Sequence, residues 1–281
     1  MRKLQITGAQ LRAFRRFLED EERERGTVEK YMRDAGAFAV WLGSRALSKE
    51  AAAGWKAGLR ERGLQPETVN SKLAALNKLL TFLRRPECRV KYLKIQRRLF
   101  RGPERELTRS EYRRLLEAAW SAGRARLALL IETICATGIR VSEVRCITAE
   151  AVAAGRADIS LKGKVRTILL PGKLCRKLEK YAKKQKIASG EIFLTRSGRG
   201  LSRRQIWAEM KSLCAKAGVA PSKVFPHNLR HLFARTFYRA CRDVVKLADV
   251  LGHSSIETTR IYLMSTGAEH ARQMDRLGLI S

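Results

Sequence analysis

Acidic residues are scarce in this sequence of 281 residues. Asp and Glu number 27 against 58 Lys and Arg, which gives a formal net charge of +31. A cationic excess of this size indicates a polyanionic partner, and nucleic acid is the leading candidate. The alternatives are a basic ribosomal protein or a membrane-surface protein. The basic residues are spread through segments with a folded pattern and are not gathered in a tail, which favours a folded nucleic-acid-binding protein.

Paired cysteines and long apolar runs are also missing. The six cysteines include no Cys-x-x-Cys pair, which argues against a disulfide framework or a zinc site and favours free thiols in a reducing compartment. The amino terminus lacks the apolar region of a signal peptide. The most apolar stretch, 127–139, is interrupted by Glu132 and is too short to cross a bilayer. We therefore expect a cytoplasmic, nucleoid-associated protein with no membrane partner.

The first hundred residues have the apolar spacing of a helical bundle. Leu11, Phe14 and Leu18 recur at helical intervals, and Pro66 suits the first turn of a later helix. With 45% hydrophobic residues the chain can form a packed core. We predict four or five helices. A charged helix face is usually just solvated, but the positive bias here favours a DNA-facing surface that includes Arg12, Arg15, Arg16, Lys72 and Lys78.

A basic segment with little periodicity, 96–105, contains Gly102-Pro103 and is typical of an interdomain linker. The sequence predicts a helical DNA-binding domain over 1–100, a linker over 101–106 and a second domain over 107–281. The expected fold class is mainly α with a small β-sheet (α+β). Helices are predicted at 109–121, 125–136, 140–147, 173–186, 202–217, 229–239 and 244–251. Two strands, 158–161 and 165–170, are predicted around a turn at 162–164, and Ser254 with Glu257 forms a capping-box pattern that opens a last helix.

Three short motifs in the second domain carry groups suited to phosphodiester chemistry. They are Thr137-Gly138-Ile139-Arg140, Pro226-His227-Asn228-Leu229-Arg230-His231 and Leu251-Gly252-His253, with Tyr262 nine positions after His253. Arginine forks match the charge that spreads over phosphate oxygens in a cleavage transition state. Arg140 is expected at a helix start, where free amides also favour an anion. The second motif lacks the Glu of His-Glu-x-x-His, so a metalloprotease is excluded.

Taken together and in this order, the motifs resemble those of the tyrosine recombinases of the phage integrase superfamily, in the two-domain Xer-like form. The resemblance is specific over about 107–265 and extends to the first hundred residues as a helical core-binding domain. It implies six catalytic residues and two supporting ones. The catalytic set is Arg140, Lys162, His227, Arg230, His253 and Tyr262, and the supporting residues are Glu143 and His231. Lys164 lies in the same turn as Lys162 and is the alternative catalytic lysine or a DNA contact.

The resemblance also implies the reaction. Tyr262 attacks the scissile phosphate to form a 3′-phosphotyrosyl link, and Arg140 and Arg230 clamp the non-bridging oxygens. His227 assists proton transfer, Lys162 protonates the leaving 5′ oxygen, and His253 hydrogen-bonds the phosphoryl oxygens. No cofactor and no metal are expected. The expected partner is double-stranded DNA, bound by a homotetramer on synapsed DNA that is a monomer in free solution. A carboxyl-terminal tail, 268–281, docks on a neighbouring protomer or packs on its own domain.

Two other functions remain open. A type IB topoisomerase uses similar residues as a monomer, although the Leu-Gly-His spacing, the amino-terminal bundle and the tail argue against it. A DNA-binding protein without catalysis would not need the complete residue set. The sequence leaves open the DNA target, the need for accessory proteins, and the choice among integration, excision, inversion and resolution of chromosome dimers.

Overall fold

The structure is a computed structural model that describes residues 6–95, 106–161, 164–253, 255–263 and 274–276. The chain divides into two compact units, Met1–Arg97 and Arg98–Ser281. Both are mainly helical, and the described residues include one two-stranded sheet. The predicted fold class is confirmed. Within the described ranges, no helix is both long and apolar enough to cross a membrane.

The first unit is a four-helix bundle. Its helices are α1 (Gly8–Asp20), α2 (Arg25–Leu42), α3 (Lys49–Glu61) and α4 (Pro66–Phe82), followed by a 3-10 turn at Pro86–Cys88. Thr7 and Gln10 form a capping box at the start of α1, and Ser48 caps α3. The apolar faces meet in a core that contains Phe14, Phe38 and Trp55. Burial of these large rings supplies much of the driving force for folding of this unit.

Two asparagines on α4 hold the extended chain that follows the bundle. The side-chain amide of Asn77 donates to the carbonyl of Val90 and accepts from its N–H, both at 3.0 Å. Asn70, two turns earlier on the same face, pairs in the same way with Leu93 at 2.9 and 2.7 Å. Each side-chain amide thus makes the two hydrogen bonds that a neighbouring β-strand would make with one residue of the extended segment.

Replacing Asn77 with Ala is expected to destabilise this unit by about 2 kcal/mol, because a buried N–H and a buried carbonyl lose their partners. Asn70→Ala is the matched control and should destabilise less, since the hydrogen bonds of Asn70 are only partly buried. Urea unfolding would measure both, followed by the fluorescence of Trp41 and Trp55, which both lie in this unit, in a background with Trp120 and Trp207 replaced by Phe. Equal effects of the two substitutions would contradict this ranking.

The second unit surrounds a larger apolar core. Its elements are α5 (Arg109–Ser121), α6 (Ala125–Thr137), a 3-10 helix (Val141–Cys146), α7 (Ala149–Ala153), β1 (Arg156–Leu161), β2 (Lys164–Leu169), α8 (Gly172–Lys184), α9 (Arg203–Lys211), α10 (Cys214–Ala217), α11 (Pro226–Cys241), α12 (Val244–Leu251) and α13 (Ile256–Leu263). Thr108 and Glu111 form a capping box that starts α5. The apolar helix α6 lies almost wholly in the core and packs against α11, which carries the second motif.

Several predicted elements differ from the observed ones. The helix predicted over 202–217 is broken after Lys211, and α10 then ends at the left-handed Gly218. The segment predicted as a helix over 140–147 is a 3-10 helix with Arg140 in an extended conformation at its N-cap. In the hairpin, Leu161 pairs with Lys164, so Lys164 begins β2 and does not lie in the turn.

Some predicted features fall wholly or partly outside the described residues. The linker over 101–106 is described only at Glu106. The capping box of Ser254 and Glu257 involves Ser254, which is not described. The tail over 268–281 is described only at Met274–Arg276, which are exposed.

Candidate active site

Arg230 lies at the centre of the cluster that the three motifs form. Pro226 begins α11, and Arg230 follows in the next turn with 2% of its surface exposed. Its guanidinium donates to the carbonyl oxygens of Leu251, at 2.8 Å, and Gly138. The Nε atom donates to the hydroxyl of Tyr262 at 3.3 Å. A buried cation with several fixed acceptors is held in one orientation, and that orientation includes the phenol oxygen.

Gly138 allows α6 to approach α11 closely at this point. The residue is left-handed, with φ of 63°, and a Cβ atom there would overlap the ring of Phe233. Its carbonyl can then accept from Arg230. Glycine is therefore required both by the backbone conformation and by the packing.

Arg140 approaches the same place from the 3-10 helix. Its guanidinium donates to Glu143 Oε1 at 2.9 Å and to the carbonyl oxygen of Gly252 at 3.3 Å. The side chain is 40% exposed, so an incoming phosphate can reach it. The sequence predicted free amides here, but the N–H of Arg140 donates to Glu143 Oε2 at 2.8 Å. This N–H is therefore not available to an anion, and the guanidinium is the group of Arg140 that can reach one.

Glu143 is a buried carboxylate between two arginines, Arg140 and Arg166. Burial alone would raise the pKa of its carboxyl group. Hydrogen bonds from the backbone and side chain of Arg140, with the charge of Arg166, outweigh that effect and lower the pKa below its ordinary value. Glu143 is thus an anion that orients two cations.

His253 has a defined tautomer in this arrangement. Its Nε2 atom lies 2.9 Å from Arg230 Nη2, and a guanidinium nitrogen can only donate. Nε2 therefore accepts, and the ring proton lies on Nδ1, which donates to Thr259 Oγ1 at 2.8 Å. Burial, and then the charges of Arg230, Arg140 and Arg166, lower the pKa of His253 to about 4. The ring is neutral at neutral pH.

Acidification is expected to destabilise the protein through His253. The unfolded chain binds a proton near the ordinary pKa of 6.5, and the folded chain only near about 4. Between these values the unfolded state carries more protons at this histidine, so the contribution of His253 to the free energy of unfolding falls as the pH falls. Above 6.5 that contribution is constant. Thermal midpoints across this window should therefore fall less steeply for His253→Gln than for the wild type. His227→Gln, at an exposed histidine, serves as the control substitution. Equal slopes of thermal midpoint against pH for His253→Gln and the wild type would contradict the expectation.

Tyr262 lies on α13 with 5% of its surface exposed. Three histidine rings surround its own ring. The ring centroid of His231 is 4.3 Å away, that of His253 is 5.6 Å away in a stacked orientation, and that of His227 is 5.9 Å away. His227 and His231 contact each other edge to face at 4.6 Å. The structure thus brings five predicted residues, Arg140, His227, Arg230, His253 and Tyr262, together with Glu143 and His231, into one cluster.

The two lysines of the hairpin are less fully described. Lys162 lies outside the described residues, and Lys164 is described by its backbone as the first residue of β2. Among the residues that the structure describes, no group of three or more His, Cys, Asp or Glu could hold a metal ion.

The comparison with known families concerns this same half of the chain. Residues 105–269 match the model of the phage integrase family. The chain belongs to the phage integrase family. Within it, the tyrosine recombinase XerC of Roseiflexus castenholzii is 31% identical, over 90% of this chain and 88% of that protein. The tyrosine recombinase XerA of Pyrococcus furiosus is 27% identical, over 100% of this chain and 98% of that protein.

A solved structure of a lambda integrase has the same fold as this chain. A lambda integrase tetramer bound to a Holliday junction matches with a TM-score of 0.73 and 17% identity, over 90% of this chain and 76% of that chain. At this identity the match establishes the fold shared with this integrase.

The sequence of this phage integrase family member did not predict a place in the site for Thr259 or Arg166. Thr259 is fully buried on α13 and holds His253 Nδ1. Arg166 on β2 contacts Glu143 and the end of α12. A threonine six residues after a histidine carries no local signal. Arg166 had a weak one, because it lies two residues after Lys164 and so on the same face of the strand.

Proposed function

We infer that this protein is a tyrosine-type site-specific DNA recombinase. The observation that carries this function is the contact between the Tyr262 hydroxyl and the buried guanidinium of Arg230. Arg140 donates to the carbonyl oxygen of Gly252, the residue before His253. A nucleophilic oxygen hydrogen-bonded to one arginine, in a cluster that holds a second, is suited to attack on a phosphate, because both cations can meet the charge that develops. The matching family and the names of its relatives support the same function.

The proposed reaction is a reversible transfer of a phosphodiester. Tyr262 loses its proton, with help from His227, and its oxygen bonds to the scissile phosphorus. The bond from phosphorus to the 5′ oxygen breaks, and Lys162 supplies the proton that this oxygen takes up. The DNA 3′ end is then held as a phosphotyrosine, and attack by a 5′ hydroxyl of a partner strand reverses the step. The bond energy is kept, so no nucleotide cofactor is needed.

The geometry refines the role proposed for His253. In the tautomer described above, its Nε2 accepts from Arg230 and carries no proton to give to a phosphoryl oxygen. We propose that in the absence of DNA His253 orients Arg230. It then hydrogen-bonds the phosphate only after the phosphate has drawn Arg230 away and the ring proton has moved to Nε2.

Double-stranded DNA is the proposed partner, with residues 1–100 as a core-binding domain, 101–106 as a linker and 107–281 as the catalytic domain. On α1, Arg12, Arg15 and Arg16 are exposed to phosphates, and the ion pair of Arg15 with Glu19, at 3.7 Å, is exposed as well. Lys72 pairs with the buried Asp34 at 3.0 Å, and Lys78 pairs with Glu21. These two lysines therefore contribute first to the stability of the bundle, and we expect α1 to contribute more to DNA affinity.

Assembly as a homotetramer on synapsed DNA is part of the proposal. Exchange of two duplexes requires four active sites, which a closed ring of protomers would position. A lambda integrase tetramer bound to a Holliday junction has the fold of this chain, which supports the idea. A monomer in free solution and a role on mobile DNA are proposed with it.

The function can be tested on DNA sites that the protein itself selects. Tyr262→Phe would be used to select bound duplexes from a random-sequence library. The wild type would then be incubated in EDTA with nicked versions of the selected sites, and with a plasmid that carries two of them. We expect adducts that survive denaturation, and recombined plasmid. Binding without adducts would identify a DNA-binding protein without catalysis, and adducts with relaxed plasmid but no recombinants would identify a topoisomerase.

A further inference from the structure

Helix α13, which carries Tyr262, contacts the rest of the domain through few buried side chains. Among its described side chains, those of residues 256–262, only Thr259 and Tyr262 are buried, with 0% and 5% of their surface exposed. The two residues are three positions apart, so they lie on the same face of the helix. Ile256 and Ile261 are half-exposed. A helix that is held at one point can turn about it, so Thr259 is the second point that fixes how α13 lies on the site.

The hydroxyl of Thr259 has a defined partner in the site. Its Oγ1 atom lies 2.8 Å from His253 Nδ1. A buried hydroxyl costs free energy unless it is hydrogen-bonded, and the contact with His253 removes that cost. The six residues of the proposed reaction do not include Thr259, so its contact with one of them has a separate purpose.

Hydrogen bonds join Thr259 to Tyr262 through two other side chains. His253 Nδ1 donates to Thr259 Oγ1, and His253 Nε2 accepts from Arg230 Nη2 at 2.9 Å. Arg230 Nε donates to the Tyr262 hydroxyl at 3.3 Å. The path therefore leaves α13 at Thr259 and returns to it about one turn later, at Tyr262. A rotation or shift of α13 would break this closed path at one of its two ends.

The Thr259 hydroxyl suits both proposed states of His253. It accepts from Nδ1 in the tautomer described above, and it can donate to Nδ1 once the ring proton is on Nε2. The contact of Tyr262 with Arg230 involves the reacting oxygen, so it must change when that oxygen bonds to phosphorus. The contact of Thr259 with His253 involves no reacting atom of the tyrosine. It can therefore hold α13 in place throughout the reaction.

We propose that Thr259 is a positioning residue that docks α13 on His253 and so places the Tyr262 oxygen at Arg230. The proposal rests on the proposed function of the site. Loss of the hydroxyl should slow the attack by Tyr262, because misplacement of a reacting group by about 1 Å can slow a reaction on the order of 10²-fold. It should leave DNA affinity unchanged, since contacts with the DNA backbone come from basic residues.

The test compares the same substitution at two neighbouring positions. Adduct formation would be measured in single turnovers, with the full-length protein in excess over nicked duplexes selected with Tyr262→Phe. Thr259→Val keeps the branched shape without the hydroxyl and should slow adduct formation by about 10-fold to 10²-fold at an unchanged Kd for DNA. Thr258→Val makes the same change at an exposed position of α13 and should leave the rate unchanged. Thr259→Ser keeps the hydroxyl and should recover most of the rate.

A double-mutant cycle shows whether Thr259 acts through His253. In a His253→Ala background the Thr259 hydroxyl has already lost this partner, so adding Thr259→Val should slow adduct formation by no more than about 2-fold. A general loss of stability would instead have the same effect in both backgrounds. Thr259→Ala takes the place of Thr259→Val throughout if the valine variant does not fold, as judged by circular dichroism.

The tautomer of His253 can be measured without DNA. In protein with ¹⁵N-labelled histidine at neutral pH, the ring shifts show which nitrogen carries the proton, and His253→Gln assigns the signals among the four histidines. The wild type should carry the proton on Nδ1. Thr259→Val leaves Nδ1 without this acceptor, so the ring should no longer show a single fixed tautomer, while Thr258→Val should match the wild type.

The outcomes separate this proposal from the function on which it rests. If the wild type forms adducts and Thr259→Val forms them at the same rate, the docking role of Thr259 is wrong while the recombinase function stands. Equal losses for Thr259→Val and Thr259→Ser, an additive cycle with His253→Ala, or a proton on Nε2 of His253 in the free wild type would also overturn it. If the wild type forms no adduct, the proposed function fails, even where the ring signals confirm the contact of Thr259 with His253.

Discussion

Replacing Tyr262 with Phe is expected to abolish the covalent protein–DNA adduct and leave DNA binding close to that of the wild type. Phe lacks the attacking oxygen and keeps the ring that packs among His231, His253 and His227. The fold loses one hydrogen bond from Arg230, which contributes about 1 kcal/mol. Denaturing gels measure the adduct, and native gels measure binding.

Tyr238→Phe is the matched control for this substitution. Tyr238 is partly buried against the same small apolar cluster as Tyr262, but no motif of the site includes it. This variant should form adducts at the wild-type rate. An adduct that survives in Tyr262→Phe, or that disappears in Tyr238→Phe alone, would show that Tyr262 is not the nucleophile.

Substitution of Arg230 should have the second largest effect. Removing one charged partner of a developing oxyanion slows a reaction by about 10²–10³-fold, and Arg230→Ala should slow cleavage at least that much. It also leaves the carbonyl oxygens of Gly138 and Leu251 without this donor, so the thermal midpoint should fall. Arg230→Lys keeps the charge but not the planar fork. Cleavage by Arg230→Lys should therefore also be slow.

Arg140→Ala provides the comparison. Arg140 is 40% exposed, so its loss should slow cleavage as strongly but lower the thermal midpoint less than the loss of Arg230. Single-turnover cleavage rates and thermal midpoints of the three variants would be compared. A wild-type cleavage rate for Arg230→Lys would show that the fork of Arg230 does not bind the transition state.

The sequence predicted best those features that depend on nearby residues. The helices predicted over 109–121 and 244–251, and the place of Pro66 in the first turn of a helix, follow from patterns within a few residues, and all three are confirmed. The hairpin was predicted, but the predicted turn over 162–164 wrongly included Lys164, which pairs with Leu161. A two-residue turn and a three-residue turn have similar local patterns here, and the ladder of the two strands decides between them.

The contacts that define the site were not predictable in the same way. Arg166 meets Glu143, 23 residues earlier, and Val250, 84 residues later. The tautomer of His253 depends on Arg230, 23 residues away, and on Thr259. Such contacts arise from packing of distant elements, for which spacing along the chain gives no signal. The motifs identified the side chains that the structure brings into one cluster, while the groups that orient them required the fold.

The central claim is that one oxygen, that of Tyr262, becomes bonded to DNA. The most direct measurement is mass spectrometry of the trapped wild-type adduct after digestion with nuclease and trypsin. The account predicts a nucleotide attached through a 3′-phosphotyrosine to the peptide of residues 261–272, which contains Tyr262, and a free 5′ hydroxyl on the released strand. A nucleotide attached to any other residue, or a link through a 5′ phosphate, would contradict it.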